Sequence, residues 1–529
     1  MDQGPMSSAE AKKPSWRLAA PHDKRTQGLV VSGFEHLPVG RALFVQFGWD
    51  GVRSQGGGAW LKALNDSAPI TDADGRDERC AAIALTYEGL RKMGLDAEAL
   101  ASFDRPFTEG MFQEDRLRRL GDRESGAWLE TVISGGPIWS GNTPLTPAAA
   151  EAGAHAQPSE RVETPVTVHA LILLYEKDEA SVEAWRTVVT QTVQGHGANI
   201  VRELEFNLAP EADGQVHEHF GFTDGVSQPI PFDAKGAVTL STGAVAQKDE
   251  WNGLQLGEFL FGFENAHNEV APGPTVSDSA IGKAAGLRAQ EGNEGFLDLG
   301  ANGSYMVVRE LQQDVASFWR SMDQAAVKIN SDPPGGKAVD ADWVANRVIG
   351  RDREGNLLCP HDTVLQRDQY GYPNNDFAFF DRDPDGYGCP LGSHVRRGNP
   401  RDGLAPTAED KGTLLAAANS HRILRRGRKF GKKIPDPRVD DQARRGLLFV
   451  CLNTDIGRQF EFVQKTWILN PNFSTLFDET DPLVGPKCNF TIPEEPLRRV
   501  IPVETFIQMA GGEYFFLPSL PALRYLEAL

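Results

Sequence analysis

Three stretches of this chain put ionisable groups where chemistry is feasible. The first is HEHFGFTDGVSQPIP, His217 to Pro231, in which Asp224 follows two phenylalanines and is flanked by Gly221 and Gly225. An unpaired carboxylate is costly to bury, so its setting needs a reason. In an extended segment side chains alternate with period two, and Glu218, Phe220, Phe222 and Asp224 would then share a face. Gly221 and Gly225 permit a tight turn or close approach to a ligand. A carboxylate against a dry wall suits proton transfer; the competing reading is a turn aspartate bonded to its own backbone. His217 and His219, two apart, would also share a face, as metal ligands often do. The zinc signatures His-x-Glu with Pro-Cys-x-x-Cys and HExxH are both missing, which favours pocket-rim or surface histidines.

The second stretch is GCPLGSHVRRGNPRDG, residues 388–403, with His394 followed by Arg396, Arg397 and Arg401. It reads either as a histidine ligand beside a cationic patch for carboxylates or phosphates, or as a solvated loop paired with the acidic DRDPDG before it. The third is HRILRRGRKFGKKIPDPRVDDQARRG, residues 421–446, the most basic run in the chain. Apart from Phe430 it lacks the interleaved aromatics of a nucleic-acid groove. A solvated face competes here with a local anion site, in which an arginine among Ile423, Leu424 and Gly427 turns inward. There is no P-loop, no strand-linked GxGxxG and no GxSxG elbow.

These groups must be positioned by mixed elements. RALFVQFGW (41–49), CAAIALT (80–86), TPVTVHALILLYE (164–176), NIVRELEFNL (199–208), SYMVVREL (304–311) and GLLFVCLNT (446–454) read as strands. GLVVSGF (28–34) reads as strand-like and FIQMAGGEYFFLPS (506–519) as a hairpin-like pair. YEGLRKMGL after residue 86 suits a short helix. SVEAWRTVVTQTV (181–193) spaces Val182, Trp185, Val189 and Val193 as one helical face. QQDVASFWRSMDQAAV does the same with Val315, Phe318, Trp319 and Met322, and GRQFEFVQKTWI (457–468) is a helix candidate. The pattern predicts two α+β halves with antiparallel sheets, joined near residues 230–260. Segments 134–163 and 268–295 read as surface insertions.

With 529 residues, 54 basic against 73 acidic and a net charge of −19, the chain lacks the basic field that nucleic acid or anionic membranes need. No apolar run is long enough to span a bilayer. Residues 1–26 read as a disordered lead without an export signal. Five cysteines, at 80, 359, 389, 451 and 488, fit reduced thiols and a cytoplasmic setting.

Taken together, GFTDGVSQP (221–229), GSHVRRGNPRD (392–402) and RILRRG (422–427) resemble the GxxDG, proximal-histidine and distal-arginine segments of the dye-decolorizing peroxidases, a haem family. Flanking stretches such as GEFLFGF, LGANGSYMVVREL and GGEYFFLPS share the likeness, which runs in order from about residue 25 to 520. The resemblance implies two ferredoxin-like domains of the dimeric α/β-barrel type, here expected over 27–240 and 241–529, enclosing haem b. It implies His394 as proximal iron ligand, Asp224 as distal acid–base and Arg425 as charge stabiliser, with Arg422 and Arg426 left open as alternatives to Arg425. Leu447 and Phe449 would face the distal side, Asp455 would be the acidic partner of His394, and Arg396, Arg397 and Arg401 are candidates for the haem propionates. The implied partners are hydrogen peroxide and bulky dyes, phenolics or similar reductants, along with self-association. Burial set against Arg425 at Asp224 predicts activity best in mildly acidic solution. Two rival readings are a haem-handling protein with incidental peroxidase activity and a non-haem protein using His217 and His219. Among 10 Trp and 8 Tyr no surface electron-transfer residue stands out.

Overall fold

The computed structural model describes residues 15–49, 57–75, 77–141, 165–208, 211, 215–333, 336–358, 372–495 and 498–529. The first half is built from β1 (Val39–Phe47), α1 (Gly57–Ser67), β2 (Cys80–Leu85), β3 (Ala170–Glu176), α2 (Glu179–Gly195) and β4 (Ala198–Asn207). Its strands pair antiparallel in the order β4-β1-β3-β2. The second half repeats the scheme with β5 (Ser304–Gln313), α3 (Val315–Ile329), α4 (Ala341–Ile349), the short α5 (His394–Gly398), β6 (Arg428–Phe430), β7 (Gly446–Asn453) and β8 (Ile507–Leu517). Here the order is β6-β7-β5-β8. Both halves therefore carry the ferredoxin-like strand order.

Two narrow antiparallel seams, Phe430 to Phe206 and Phe516 to Leu85, join the halves into a closed eight-stranded barrel. Period-two alternation sorts the side chains. Phe44, Leu171, Leu173, Met306, Val308, Leu448, Val450 and Phe515 fill one continuous cluster inside. Leu43, Val45, Ile172, Tyr305, Val307, Tyr514 and Phe516 pack outward under helices. The residues that α2 buries, Val182, Trp185, Val189 and Val193, are the four its spacing predicts, and Asp178 caps it by accepting from Ser181 N at 2.9 Å. Across the halves, Glu310 of β5 accepts from Trp139 Nε1 at 2.9 Å and from Arg202 Nε of β4 at 2.6 Å.

Several elements differ from the sequence reading. GLVVSGF forms a 3-10 turn over Gly28–Val30, not a strand. FIQMAGGEYFFLPS is one long strand: Gly511 is pressed against the Trp139 ring, so the Gly-Gly pair makes room instead of turning the chain. Residues 15–26, expected in a disordered lead, are packed. Trp16–Arg17 pairs with Leu240 and Thr239, and Trp16, Leu18 and Thr26 are buried. Residues 1–14, most of the 134–163 insertion and Cys359 lie outside the described residues. The 268–295 excursion folds into a three-stranded sheet with a short helix, Ala280–Ala285. GRQFEFVQKTWI is helical but π-wound, over Gly457–Glu461 and Val463–Ile468, a local geometry often found at functional sites.

Candidate active site

His394 opens α5, and its ring donates through Nδ1 to Asp481 Oδ2 at 2.9 Å. Asp481 is fully buried; its other oxygen accepts from Leu483 N at 2.9 Å and Val484 N at 3.0 Å. Burial works to raise this carboxyl's pKa, but His394, the Val484 amide and Arg397 outweigh it and hold the group below the usual carboxylate range. A charged carboxylate on Nδ1 fixes the tautomer and leaves Nε2 as the nitrogen for a metal. Asp481 was not recognisable in the sequence: it lies 87 positions from its partner, in ETDPLVG, which carries no motif. Asp455, expected in this role, is elsewhere. It lies two residues past β7, accepts from Arg458 N at 2.8 Å and pairs with the Arg458 guanidinium in the first turn of the π-wound helix. Asp481→Asn is expected to cut metal-site affinity or turnover about 10- to 100-fold, read by titrating the apo-protein with haem and by steady-state rate.

Two expected cationic contacts are also reassigned. Arg396 is buried, donating to Asp383 O at 2.8 Å and Cys389 O at 3.0 Å, with its guanidinium over Phe379. Arg397 is buried too and clasps Trp467 O at 2.8 Å, Asn470 O at 2.9 Å, Gly392 O at 3.2 Å and Glu479 O. Both donate to backbone carbonyls; Arg397 ties α5 to the segment that delivers Asp481, and Arg396 ties it to residues 383–389 and also pairs with the Asp383 carboxylate at 3.6 Å.

The Asp224 segment is not an extended strand. His217 and Thr223 pair as a bridge, Gly221 takes φ +96°, and the chain turns back on itself. Phe220 and Phe222 are buried against Phe318 and Trp319 of α3, and Trp319 Nε1 donates to Phe220 O at 3.1 Å. Each buried phenylalanine contributes about 1.5–3 kcal/mol. Asp224, in contrast, is exposed; its Oδ1 accepts from Gly225 N at 2.6 Å. The shared face therefore fails at Asp224, because the turn rotates it away from the phenylalanines. A side chain at Gly225 would meet nothing within 4 Å, so the space beside Asp224 is open.

Of the three candidate arginines, Arg425 reaches this segment: its Nη2 donates to Ser227 O at 2.8 Å and its backbone N to Gln228 Oε1 at 3.2 Å. Arg426 points the other way, to Leu29 O and Val30 O, and Arg422 is buried against Trp251 O. Leu447 and Phe449 of β7 are half-buried while Leu448 and Val450 fill the barrel, so the outward pair borders the same region. The π-wound helix serves both sides: the His421 ring stacks on Phe462 at 3.6 Å and Gln459 Nε2 donates to Arg422 O at 2.8 Å, while Arg397 holds the far end. A second link runs from Val226 O to Asn375 Nδ2 (2.8 Å) and from Asn375 Oδ1 to Arg351 Nη2 (2.6 Å). Arg351 and Arg401 both lie over the Phe377 ring, at 4.7 and 4.5 Å. Burial first, then Arg401 and Arg425, push the guanidinium pKa values of Arg351 and Arg422 down to about 9. This cationic cluster favours an anion.

His217 and His219 do not form a metal site; among the described residues no group of three or more His, Cys, Asp or Glu does. His219 is buried with Nε2 at 2.8 Å from Phe430 O, and burial lowers its pKa to about 4; His169 is lowered to about 4 likewise. Between pH 6.5 and 4 the unfolded chain binds protons that these two rings refuse, so their contribution is present above 6.5 and lost as pH falls. His219→Gln, whose amide can still reach Phe430 O, is expected to flatten the acid limb of stability by about 1.4 kcal/mol per pH unit. Denaturant melts between pH 7 and 4.5 check this; an unchanged slope would rule it out.

No family model matches the chain. It is 28% identical to the multifunctional dye peroxidase of Amycolatopsis sp. over 378 residues, 68% of this chain and 71% of that one. It is 26% identical to peroxidase 2 of Mycetinis scorodonius over 474 residues, 84% of this chain and 75% of that one. The crystal structure of a DyP-type peroxidase from Anabaena sp. superposes with a TM-score of 0.67 at 23% identity, covering 96% of this chain and 94% of that one. The chain is similar in sequence to dye-decolorizing peroxidases and shares their fold. Dye-decolorizing peroxidases are haem enzymes, and the residues here fit that group. A carboxylate-backed imidazole suits iron, Leu447 and Phe449 offer an apolar border, and the Arg351–Arg401–Arg422–Arg425 cluster matches a ligand bearing two carboxylates.

Proposed function

We propose that the chain binds haem b through His394 Nε2 and reduces hydrogen peroxide at the expense of phenolics, dyes or similar aromatic donors. When bound, haem supplies the iron at which the peroxide O–O bond is broken and the oxidising equivalents are held. The protein's part is to hold the ligand, move one proton and stabilise charge. Asp481, kept ionised, holds His394 in one tautomer and raises the basicity of its ring. The Asp224 carboxylate takes the peroxide proton and returns it to the departing oxygen, a role worth about 10²–10⁴-fold. Arg425, pinned at Ser227 O, sets a positive charge beside the oxygen that develops negative charge. The haem carboxylates meet the cluster of Arg351, Arg401 and Arg422, in which an anion would relieve the repulsion that Arg401 exerts on the other two.

The observation that carries this reading is the His394–Asp481 hydrogen bond, supported by Arg425 touching the loop that bears Asp224. A related peroxidase has been solved with 2,6-dimethoxyphenol, which supports a phenolic donor. Among the described residues Cys80, Cys389, Cys451 and Cys488 are free thiols, which supports a reducing, cytoplasmic setting; no described helix is long and apolar enough to cross a membrane. The test is the visible spectrum of the haem-reconstituted protein before and after stoichiometric peroxide. A Soret band that peroxide shifts, and that 2,6-dimethoxyphenol restores, is the expected result. A chain that takes up no haem would overturn the proposal.

A further inference from the structure

We infer that Glu218 is a positioning residue for Asp224: its half-buried carboxylate folds the turn from which Asp224 emerges. The inference deepens the proton-transfer reading of Asp224 and rests on it.

The turn from His217 to Thr223 is too tight for its inner amides to join a sheet ladder. Glu218 N donates to Phe222 O and Gly221 N to Glu218 O, both at 3.0 Å. That leaves the Phe220 and Phe222 amides, which burial would otherwise strand without a partner. Both are answered by one side chain: Phe220 N donates to Glu218 Oε2 at 2.8 Å and Phe222 N to Oε1 at 2.9 Å. Gln313, the last residue of β5, donates Nε2 to Oε2 at 2.8 Å, so the same carboxylate bolts the turn to the barrel. Asp224 continues the ladder that this turn closes, its N donating to Val216 O at 3.1 Å. A shift of the turn is therefore a shift of Asp224.

The choice of a carboxylate is informative. Three N–H donors converge on two oxygens, an arrangement that only an acceptor-only group satisfies. A glutamine would set its own NH₂ against one of those donors. Among the described residues no Lys or Arg forms an ion pair with Glu218. The nearby cation, Lys429, has its Nζ on His217 O at 2.7 Å. Burial works to raise the Glu218 pKa and Asp224 adds to it, while the Phe220 and Phe222 amides and Gln313 oppose the rise. A carboxylate held by neutral donors away from bulk water is costly. Here it holds the turn against the Phe220–Phe222 wall.

The test uses full-length, haem-loaded protein as wild type, Glu218→Gln, Asp224→Asn and the double variant. Amide exchange at Phe220 and Phe222 reports the turn directly. The bimolecular rates with peroxide and with cyanide, whose acid must lose a proton to bind, report Asp224 across pH. The expected result is loss of protection at both amides, with both rates about 10- to 100-fold lower at wild-type haem content. In the Asp224→Asn background Glu218→Gln should add no further loss. Gln313→Met, which removes one donor of the three, covers the case in which Glu218→Gln fails to fold. It should give the same pattern at smaller amplitude. Unchanged exchange, or an equal loss in the Asp224→Asn background, would overturn the inference. Wild-type rates in Asp224→Asn alone would instead sink the proton-transfer reading, and the exchange data separate that outcome from the first.

Discussion

His394→Ala is expected to abolish the histidine-type haem spectrum and to lower peroxide turnover by more than about 10²-fold, beyond the loss typical of an outer partner. The size of the effect follows from how the ring is held. His394 is the first residue of α5, whose Arg397 clasps five carbonyls, and its Nδ1 is occupied by a buried, ionised Asp481. Alanine removes the ligand and leaves that carboxylate facing an empty space without its donor. Leaving a buried acceptor without its donor costs about 1–3 kcal/mol, and more for a charged group, so the melting temperature of the apo-protein should fall as well. Haem stoichiometry, the Soret position and the apo-protein melt measure these effects. Added imidazole should restore part of the spectrum by entering the vacated volume. Wild-type haem binding and spectrum in the variant would show that another residue ligates the iron.

Asp224→Asn is the second large effect. Asparagine is nearly isosteric, and its Oδ1 can still accept from Gly225 N, so haem content and stability should stay at wild-type values. The rate with peroxide should drop about 10²–10⁴-fold, the range expected when a positioned proton carrier is removed. A protein that merely carries haem would show no such drop, so the variant also separates an enzyme from a haem-handling protein. Stopped-flow mixing with peroxide gives the number, and an unchanged rate would remove Asp224 from the mechanism. Arg425→Leu offers a graded comparison, because loss of one oxyanion-stabilising donor costs about 10²–10³-fold.

Much of the architecture is legible in local pattern. The helical face of Val182, Trp185, Val189 and Val193 and the strands at 80–85, 304–313 and 446–453 appear where periodicity puts them. Pattern failed where a tertiary neighbour overrode local preference. The Gly511–Gly512 pair reads as a turn, but in the fold it lets Trp139 lie against a continuous β8. The GLVVSGF run is apolar enough for a strand, yet the fold buries it as a single 3-10 turn beneath Arg426.

The site divides in the same way. Sequence alone determined which residue types were present and how they were grouped: a carboxylate in a Phe/Gly setting, a histidine with three arginines, and a basic run with an inward candidate. These are short-range facts, carried by spacing and composition. Tertiary structure decided which members of each group meet. Closing the barrel brings the chain beyond the π-wound helix back under α5, and so selects Asp481 over Asp455. Folding brings Arg425 to Ser227 O while Arg422 and Arg426 reach Trp251 O, Leu29 O and Val30 O, and backbone carbonyls claim Arg396 and Arg397. The tightness of one turn makes Glu218 its clamp. Partners this far apart in sequence meet only when distant strands pair, and no local periodicity records that meeting.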